Sequence, residues 1–394
     1  MESKNSPEER RNFLASELLR VEADWVIISH PKHIFYLTGF PSNLNAWYSL
    51  MKGPRSTSFM ALRSDGRCAL LLGRSELENP FTGERTDALR GLGDVTEYED
   101  YSLKGEMVTY GDRVAAEMKR WLGGLDRHRF RKVAIEEWHL AEVYRDALHA
   151  LHPDARVVGI SKFLVEMRMS KGDDEVEKLE KATEMLDHSY SVARENSTPG
   201  KSELDVYGAI NEDVFHRYGP FAWVVGDHVS GERSLGVGGV PTHRKLKRGD
   251  TFILDLQVAH DNYWSDMCRT FVVGRKPSRE QRSALAVVRE AMEQAEKLLY
   301  PGTKGKEVYA SVSRALADHG YSDLPHHAGH AIGLDDQERP WFIPAEERKL
   351  EEGSVCVVEP GIYRKDTGGI RIEDVFVVTA KGPRKLSHFP LKLG

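Results

Sequence analysis

The sequence predicts an α+β protein of two domains, a smaller α/β domain over residues 1–160 and a larger domain over 161–394 that contains two related halves. Three observations carry this expectation. Short β-rich runs alternate with helix-like stretches through the first part of the chain. A long amphipathic helix with a strong start signal then marks a change of texture at about residue 161. Beyond it, the order helix, Pro-Gly turn, helix, strands occurs twice.

Taken in order, DWVIISH (24–30), TSFMALR (57–63), CALLLG (68–73) and KVAIEE (132–137) are short, apolar and bounded by turn residues, and they read as strands. RNFLASELLR and GDRVAAEMKRWLGGL carry apolar residues at helical spacing between them. ARVVGI (155–160) closes the first domain. In EMRMSKGDDEVEKLEKATEMLDHSYSVARENSTPG, acidic residues fill the first turn of a long helix that ends at Pro199-Gly200. The pairs Pro199-Gly200 and Val206-Tyr207 recur as Pro301-Gly302 and Val308-Tyr309, both displaced by 102 residues. Two copies packed about a pseudo-twofold axis would share one sheet, and a site between them would draw ligands from both halves.

Composition narrows the function classes. Of 394 residues, 40% are hydrophobic and 29% charged, and no apolar run approaches the ~20 residues of a membrane span. The N-terminal MESKNSPEERRNFLASELLR lacks the apolar core of a secretory signal, so a cytoplasmic protein without membrane contact is expected. The net charge of −6 is spread over mixed signs, with no basic stripe for a phosphate backbone, which argues against nucleic acid. RWLGGLDRHRFRKVAIEEW (120–138) reads as a solvated basic loop before a strand. Cys68, Cys268 and Cys356 are odd in number and far apart, so they read as reduced buried residues.

The chemistry concentrates in the second domain. Asp255 lies within the strand-like TFILDLQV, and Asp266 precedes an apolar run in NYWSDMCRTFVV. Glu359 ends the run VCVV, and Glu373 lies inside GIRIEDVFVV. Each acid interrupts a segment that should be sheet core, where an unpaired carboxylate is costly unless a partner or a metal neutralises it. Salt bridges to Arg269 or Arg371 would explain a single case; two acids in each half point to convergence on the shared axis. PHHAGHAIGLDDQ (325–337) adds three histidines within five positions. Four carboxylates with an imidazole make an oxygen-rich set suited to Mn²⁺, Co²⁺, Fe²⁺ or carboxylate-bound Zn²⁺. Five ligands exceed what one ion with an open position needs, so two bridged ions fit better.

The contexts LDLQ...SDMCRTF, GHAIGL, VVEPGIY and GIRIED hold Asp255, Asp266, His330, Glu359 and Glu373 in the order D, D, H, E, E. Together they resemble the creatinase/aminopeptidase P/prolidase family with its pita-bread fold. FYLTGF (35–40) and RMSKGDDEVEKLEKA (168–182) resemble that family's N-terminal-domain and domain-junction segments. The resemblance implies a creatinase-like N-terminal domain, a pita-bread catalytic domain and two divalent ions, manganese first with cobalt, zinc or iron as alternatives. It also implies hydrolysis of an amide-type C–N bond, commonly Xaa-Pro, and a homodimer. By matching motif, Asp255 would bind one ion, Asp266 and Glu373 would bridge, and His330 and Glu359 would complete the other ion. Glu359 would also shuttle the proton.

Two departures bear on the substrate. Where the family's peptidases carry histidines, GHAIGLDDQERP has Gln337 and RSLGVGGVPTHRKLKRGD has Gly238. Gln337 can donate a hydrogen bond but carries no proton near neutral pH. His243 reads as an exposed turn histidine rather than a substitute for the one at 238, and Gln257, where glycine is usual, is placed to reach the site. His326 matches a position often filled by histidine in the family and is expected beside the metal or substrate, whereas His327 reads as structural or solvent-facing. Arg371 would bind a substrate carboxylate or balance the acids. In WVVGDHVSGERS, His228 is a candidate substrate contact, and Asp227 and Arg233 are candidates without roles. Trp47 and Tyr48, after an FYLTGF loop, would reach a partner subunit's site. The expected activity is therefore hydrolysis of a small-molecule or short-peptide substrate through an altered pocket. The alternatives are a non-peptidase resembling ectoine hydrolase, creatinase or a dimethylsulfoniopropionate lyase, and a non-catalytic pita-bread binding module.

Overall fold

The computed structural model describes residues 5–41, 57–77, 87–100, 112–125, 130–219, 222–321 and 324–393. The chain divides into two compact units, Met1–Glu166 and Met167–Gly394.

In the first unit, β1 (Trp25–Ile28), β2 (Phe59–Arg63), β3 (Cys68–Gly73), β4 (Asp94–Tyr98), β5 (Lys132–Ile135) and β6 (Arg156–Gly159) form one sheet in the order β4-β3-β2-β1-β5-β6. β2 runs antiparallel to β1 and β3, while the β3/β4, β1/β5 and β5/β6 pairs are parallel. Every residue of β1, β2 and β3 is buried, and apart from Arg63 at the end of β2 these strands read as apolar runs. The helices Asp112–Gly124 and Glu142–Leu151 add Met118, Leu122 and Leu148 to a core with Trp25, Ile27 and Phe59. β4 is exposed at four of its five positions and carries no apolar run, which is why its sequence does not announce a strand. FYLTGF is not a loop: Phe35 to Thr38 finish the helix Pro31–Thr38, and Gly39 caps it. The helix starts because Pro31 occupies its first turn and the His30 ring accepts the Lys32 N–H at 3.1 Å.

In the second unit, β7 (Val225–Ser230), β8 (Thr251–His260) and β9 (Tyr263–Val272) make an antiparallel three-stranded sheet. β10 (Gly329–Ala331), β11 (Glu338–Trp341) and β12 (Val355–Val358) follow, then the hairpin of β13 (Gly361–Arg364) and β14 (Gly368–Arg371), then β15 (Asp374–Thr379) and β16 (Gly382–Lys385). Apart from the hairpin these form a five-stranded sheet in the order β11-β10-β12-β15-β16. The pseudo-twofold repeat is explicit in the backbone. After the helix Asp173–Asn196, the Gly200 N–H donates to Leu246 O at 2.9 Å; after the helix Arg279–Glu296, the Gly302 N–H donates to Leu350 O at 2.8 Å. Each turn then pairs as an isolated bridge, Ser202 with Lys245 and Lys304 with Lys349. The following helices, Glu203–Tyr218 and Gly305–Asp318, start alike: Asp205 accepts the Ser202 N–H at 2.6 Å and Glu307 accepts the Lys304 N–H at 2.7 Å.

The strands that follow carry the acids at matching depths. Asp255 and Glu359 each lie four residues beyond the first residue of β8 or β12. The halves meet where the Glu373 N–H donates to Cys268 O at 3.0 Å. Buried Arg269 reinforces this seam, donating to Asp374 Oδ1 at 2.7 Å and to Glu373 O at 2.5 Å. Arg168 and Lys171, from the RMSKGDDE segment, hold the buried carboxylate of Glu338 at the start of β11. Among the described residues no helix is long and apolar enough to cross a membrane.

Candidate metal centre

β8 and β9 are joined through Asp261 and Asn262, both at positive φ, a turn that fixes the hairpin register. That register sets Gln257 opposite Asp266 and Asp255 opposite Cys268. Residues two apart on a strand share a face, so Asp255 and Gln257 point the same way, with Asp227 on β7 directly opposite Asp255. The backbone of β7 passes so close here that a Cβ on Gly226 would lie 1.9 Å from Asp255 O, and its φ of 120° also requires glycine.

From the second half, His330 enters on β10, Glu359 follows β12 with its N–H on Ala328 O at 2.9 Å, and Glu373 lies at the seam. Asp266, His330, Glu359 and Glu373 are each 5% exposed or less, and all line one cavity of about 170 Å³. That space is several times the ~30 Å³ a water occupies in the liquid.

Four of the carboxylate oxygens in this wall accept no hydrogen bond. Asp255 Oδ1, Asp266 Oδ1, Glu359 Oε1 and Glu373 Oε2 are buried and lack any hydrogen-bond partner. His330 Nδ1 lies 2.9 Å from Ala331 O and so carries the proton, leaving the Nε2 lone pair 3.7 Å from Glu359 Oε1 and 3.8 Å from Asp266 Oδ2. Ligand atoms of Asp266, His330 and Glu373 lie within 4.8 Å of one another, as do those of His327, His330 and Glu359. Buried acceptors facing acceptors are costly unless a cation sits between them, so the donor set fits divalent metal.

The electrostatics agree. Burial and then the charge of Asp255 push the Asp266 carboxyl well above the usual range; burial and then Asp266 and Asp255 do the same to Glu373. Asp255 is raised chiefly by burial, against the pull of Arg371. Burial would also raise Glu359, but His327, His330 and His326 around it outweigh that and hold it at about 2.

Arg371 is 2% exposed and its donors face protein atoms. Nη2 donates to Asp255 Oδ2 at 2.5 Å, Nη1 to Val237 O at 2.5 Å and Tyr363 Oη at 3.2 Å, and Nε to Cys268 Sγ at 3.4 Å. This arrangement fits the charge-balancing alternative. His326 donates from Nδ1 to His327 O at 2.7 Å and accepts the Tyr363 hydroxyl at Nε2 at 2.8 Å, with burial lowering its pKa. Gln257 donates to Asp266 Oδ2 at 2.7 Å, and exposed Gln337 lies on the cavity rim.

Several expectations change. His228 is not a substrate contact: it alternates with Asp227 on β7, so its fully buried side chain points to the other face, against Tyr207 and Phe252. His327, expected to be structural or solvent-facing, faces the candidate site. It lines the cavity, with Nδ1 2.7 Å from Glu359 Oε1 and neither atom aligned for a hydrogen bond. Asp227, singled out without a role, also lines the cavity, whereas Arg233 pairs with buried Glu203 and His243 is exposed elsewhere. At Gly238 a Cβ would meet Asp227 Oδ2 at 2.0 Å, so Asp227 fills the place a side chain at 238 would need. Tyr363 escaped the sequence reading; its placement two residues after a Pro-Gly pair following Glu359 was the available signal. Trp47 and Tyr48 lie outside the described residues.

The family model described as metallopeptidase family M24 matches residues 177–380, and the one described as the creatinase/prolidase N-terminal domain matches residues 10–170. An Xaa-Pro dipeptidase of Pyrococcus furiosus is 34% identical over 233 residues, 58% of this chain, and the match spans 66% of that relative's own length. An uncharacterized peptidase of Staphylococcus aureus is 27% identical over 388 residues, 95% of this chain and 98% of its own. The solved structure of an Xaa-Pro dipeptidase from Bacillus anthracis has a TM-score of 0.81 at 23% identity, covering 98% of this chain and 99% of that one, a likeness of fold.

Proposed function

Because the chain belongs to metallopeptidase family M24, we propose that it is a two-metal hydrolase of a small amide-type C–N bond, with Xaa-Pro dipeptides as the first substrate class. The observation that carries this reading is the set of four buried carboxylate oxygens without a hydrogen bond, gathered around the His330 Nε2 lone pair. Asp255, Asp266, His330, Glu359 and Glu373 would hold two divalent cations, manganese first, with His327 as an added neighbour. Such a pair, when bound, makes water a nucleophile near neutral pH and polarises a carbonyl oxygen.

This chain's own residues do the rest. Glu359, on the cavity wall with His327 and His330 beside its Oε1, takes the proton from the attacking water and passes it to the leaving nitrogen. His326, oriented by the Tyr363 hydroxyl, presents a neutral ring to the substrate side. Gln337 offers an amide donor at the rim. Gln257 fixes the Asp266 carboxylate through its 2.7 Å bond. Arg371 holds Asp255 through its 2.5 Å bond and counters the rise that burial imposes on that carboxyl. A second reading, a non-peptide small molecule as substrate, is favoured by Gln337 and by Asp227 filling the space beside Gly238. A cytoplasmic homodimer remains part of the proposal.

The test is metal analysis of the purified protein, then turnover with Mn²⁺, Co²⁺ or Zn²⁺ on Xaa-Pro dipeptides, Xaa-Pro-Yaa peptides, ectoine and creatine. Expected are up to two ions per chain and metal-stimulated hydrolysis, reduced about a hundredfold or more in Glu359→Gln. Fewer than one ion per chain and no turnover of any substrate would overturn the reading. Cleavage of a non-peptide alone selects the second one.

A further inference from the structure

Asp227 is a carboxylate on the cavity wall that the proposed metal ligands do not include. It faces Asp255 directly across the β7/β8 pair, where like charges oppose each other. The guanidinium of Arg371 donates to Asp255 Oδ2 at 2.5 Å and forms a longer ion pair, 3.5 Å, with Asp227 Oδ2. Its other donors go to Val237 O, Tyr363 Oη and Cys268 Sγ. Asp227 Oδ1 accepts the Gly239 N–H at 2.8 Å. A carboxylate offers about four acceptor positions, so capacity remains. The side chain is 35% exposed and lines the cavity beside Val237, Gln257 and Gln337. Through its contact with the space next to Gly238, it also sets the shape of that wall.

We infer that Asp227 is a specificity-determining residue selecting substrates whose residue before the cleaved bond carries a side-chain ammonium or guanidinium group, in addition to the α-ammonium that every dipeptide has. The inference rests on the hydrolase reading above, and it deepens that reading by naming the substrate class. A purely structural Asp227, holding Gly239 and Arg371 in place, would alter all substrates alike. A recognition role alters the ratio between substrates with cationic and with neutral side chains.

Two arms test it on the full, Mn²⁺-loaded protein. In the first, kcat and KM are measured for Lys-Pro and for Met-Pro, whose side chain is similar in length but uncharged, both dipeptides carrying the same α-ammonium. The expected result is a KM about tenfold lower for Lys-Pro, falling to less than about threefold in Asp227→Asn and in Asp227→Ser. Equal KM values in the wild type, or a ratio unchanged in both variants, overturns the inference while leaving the hydrolase intact. In the second arm, calorimetry compares arginine with citrulline, which replaces the guanidinium by a neutral urea. Tighter binding of arginine, lost in the variants, supports recognition of a cation even where no dipeptide is cleaved and the hydrolase reading itself has failed. Equal binding of the two, or no binding of either, overturns it.

Discussion

His228 packs edge-on against Tyr207 at 5.1 Å, accepts no proton readily and leaves Nε2 buried without a partner. Burial lowers its pKa to about 4, while an unfolded histidine titrates near 6.5. The folded ring therefore stays neutral where the unfolded one gains a proton. Its contribution is intact above pH ~6.5 and is lost as pH falls toward 4, by up to about 3 kcal/mol. His228→Leu should equal or exceed the wild type in stability at pH 7 and flatten the fall between pH 6.5 and 4.5, as read by urea unfolding at each pH. The same residue shows what one sequence leaves undecided. WVVGDHVSGERS marks Asp227 and His228 together, but a one-residue slip of strand register exchanges their faces, and only the pairing with β8 decides between them. The acids of the candidate metal centre are legible for the opposite reason: each interrupts an apolar strand, a cost visible without any register. His327 gives no such signal, because it lies in an irregular stretch before β10 where neither strand nor helix period assigns a direction.

Among the elements, the RMSKGDDE segment does more than start a helix. Its Gly172 N–H donates to Glu175 Oε2 at 3.0 Å, closing the first turn, and Arg168 and Lys171 reach Glu338, next to Gln337. Lys171 Nζ lies 3.0 Å from Glu338 Oε2, with both side chains at most 5% exposed. Removing one partner of such a buried pair leaves charge uncompensated and costs about 3–5 kcal/mol. Glu338→Ala should lower the stability of this unit by that amount in chemical denaturation. It should also raise KM more than it lowers kcat, because the turn bearing Gln337 loses its anchor while the metal ligands keep theirs. The helix and its start are plain in the sequence as clustered acids after glycine. The destination of Arg168 and Lys171 is not, since it lies about 170 residues downstream.

For the molecule as a whole, the site joins two halves that each supply two acids. Without cations, burial and mutual repulsion keep Asp266 and Glu373 protonated well above the usual carboxylate range. A folded carboxyl with a raised pKa binds more protons than the unfolded chain, so this part of the stability falls as pH rises past ~4. Bound metal reverses the trend by holding the ionised forms. Loading with Mn²⁺ should therefore release protons, and the metal-induced rise in Tm should grow with pH. At a free concentration of about 100 times Kd the gain is about 2.7 kcal/mol, and chelation should abolish it. Calorimetry in buffers of different ionisation enthalpy and melting curves across pH 5 to 8 check both; a Tm rise that is constant across pH would contradict the linkage. The seam where Glu373 meets Cys268 also sets an order in time. Asp255 and Asp266 are synthesised roughly a hundred residues before Glu373, and at ~5–20 residues per second that separates them by roughly 5–20 seconds. For that interval the nascent chain presents half a coordination shell with neither Arg371 nor His330 beside it, so the first half must carry its acids in water or as protonated carboxyls until the second half arrives.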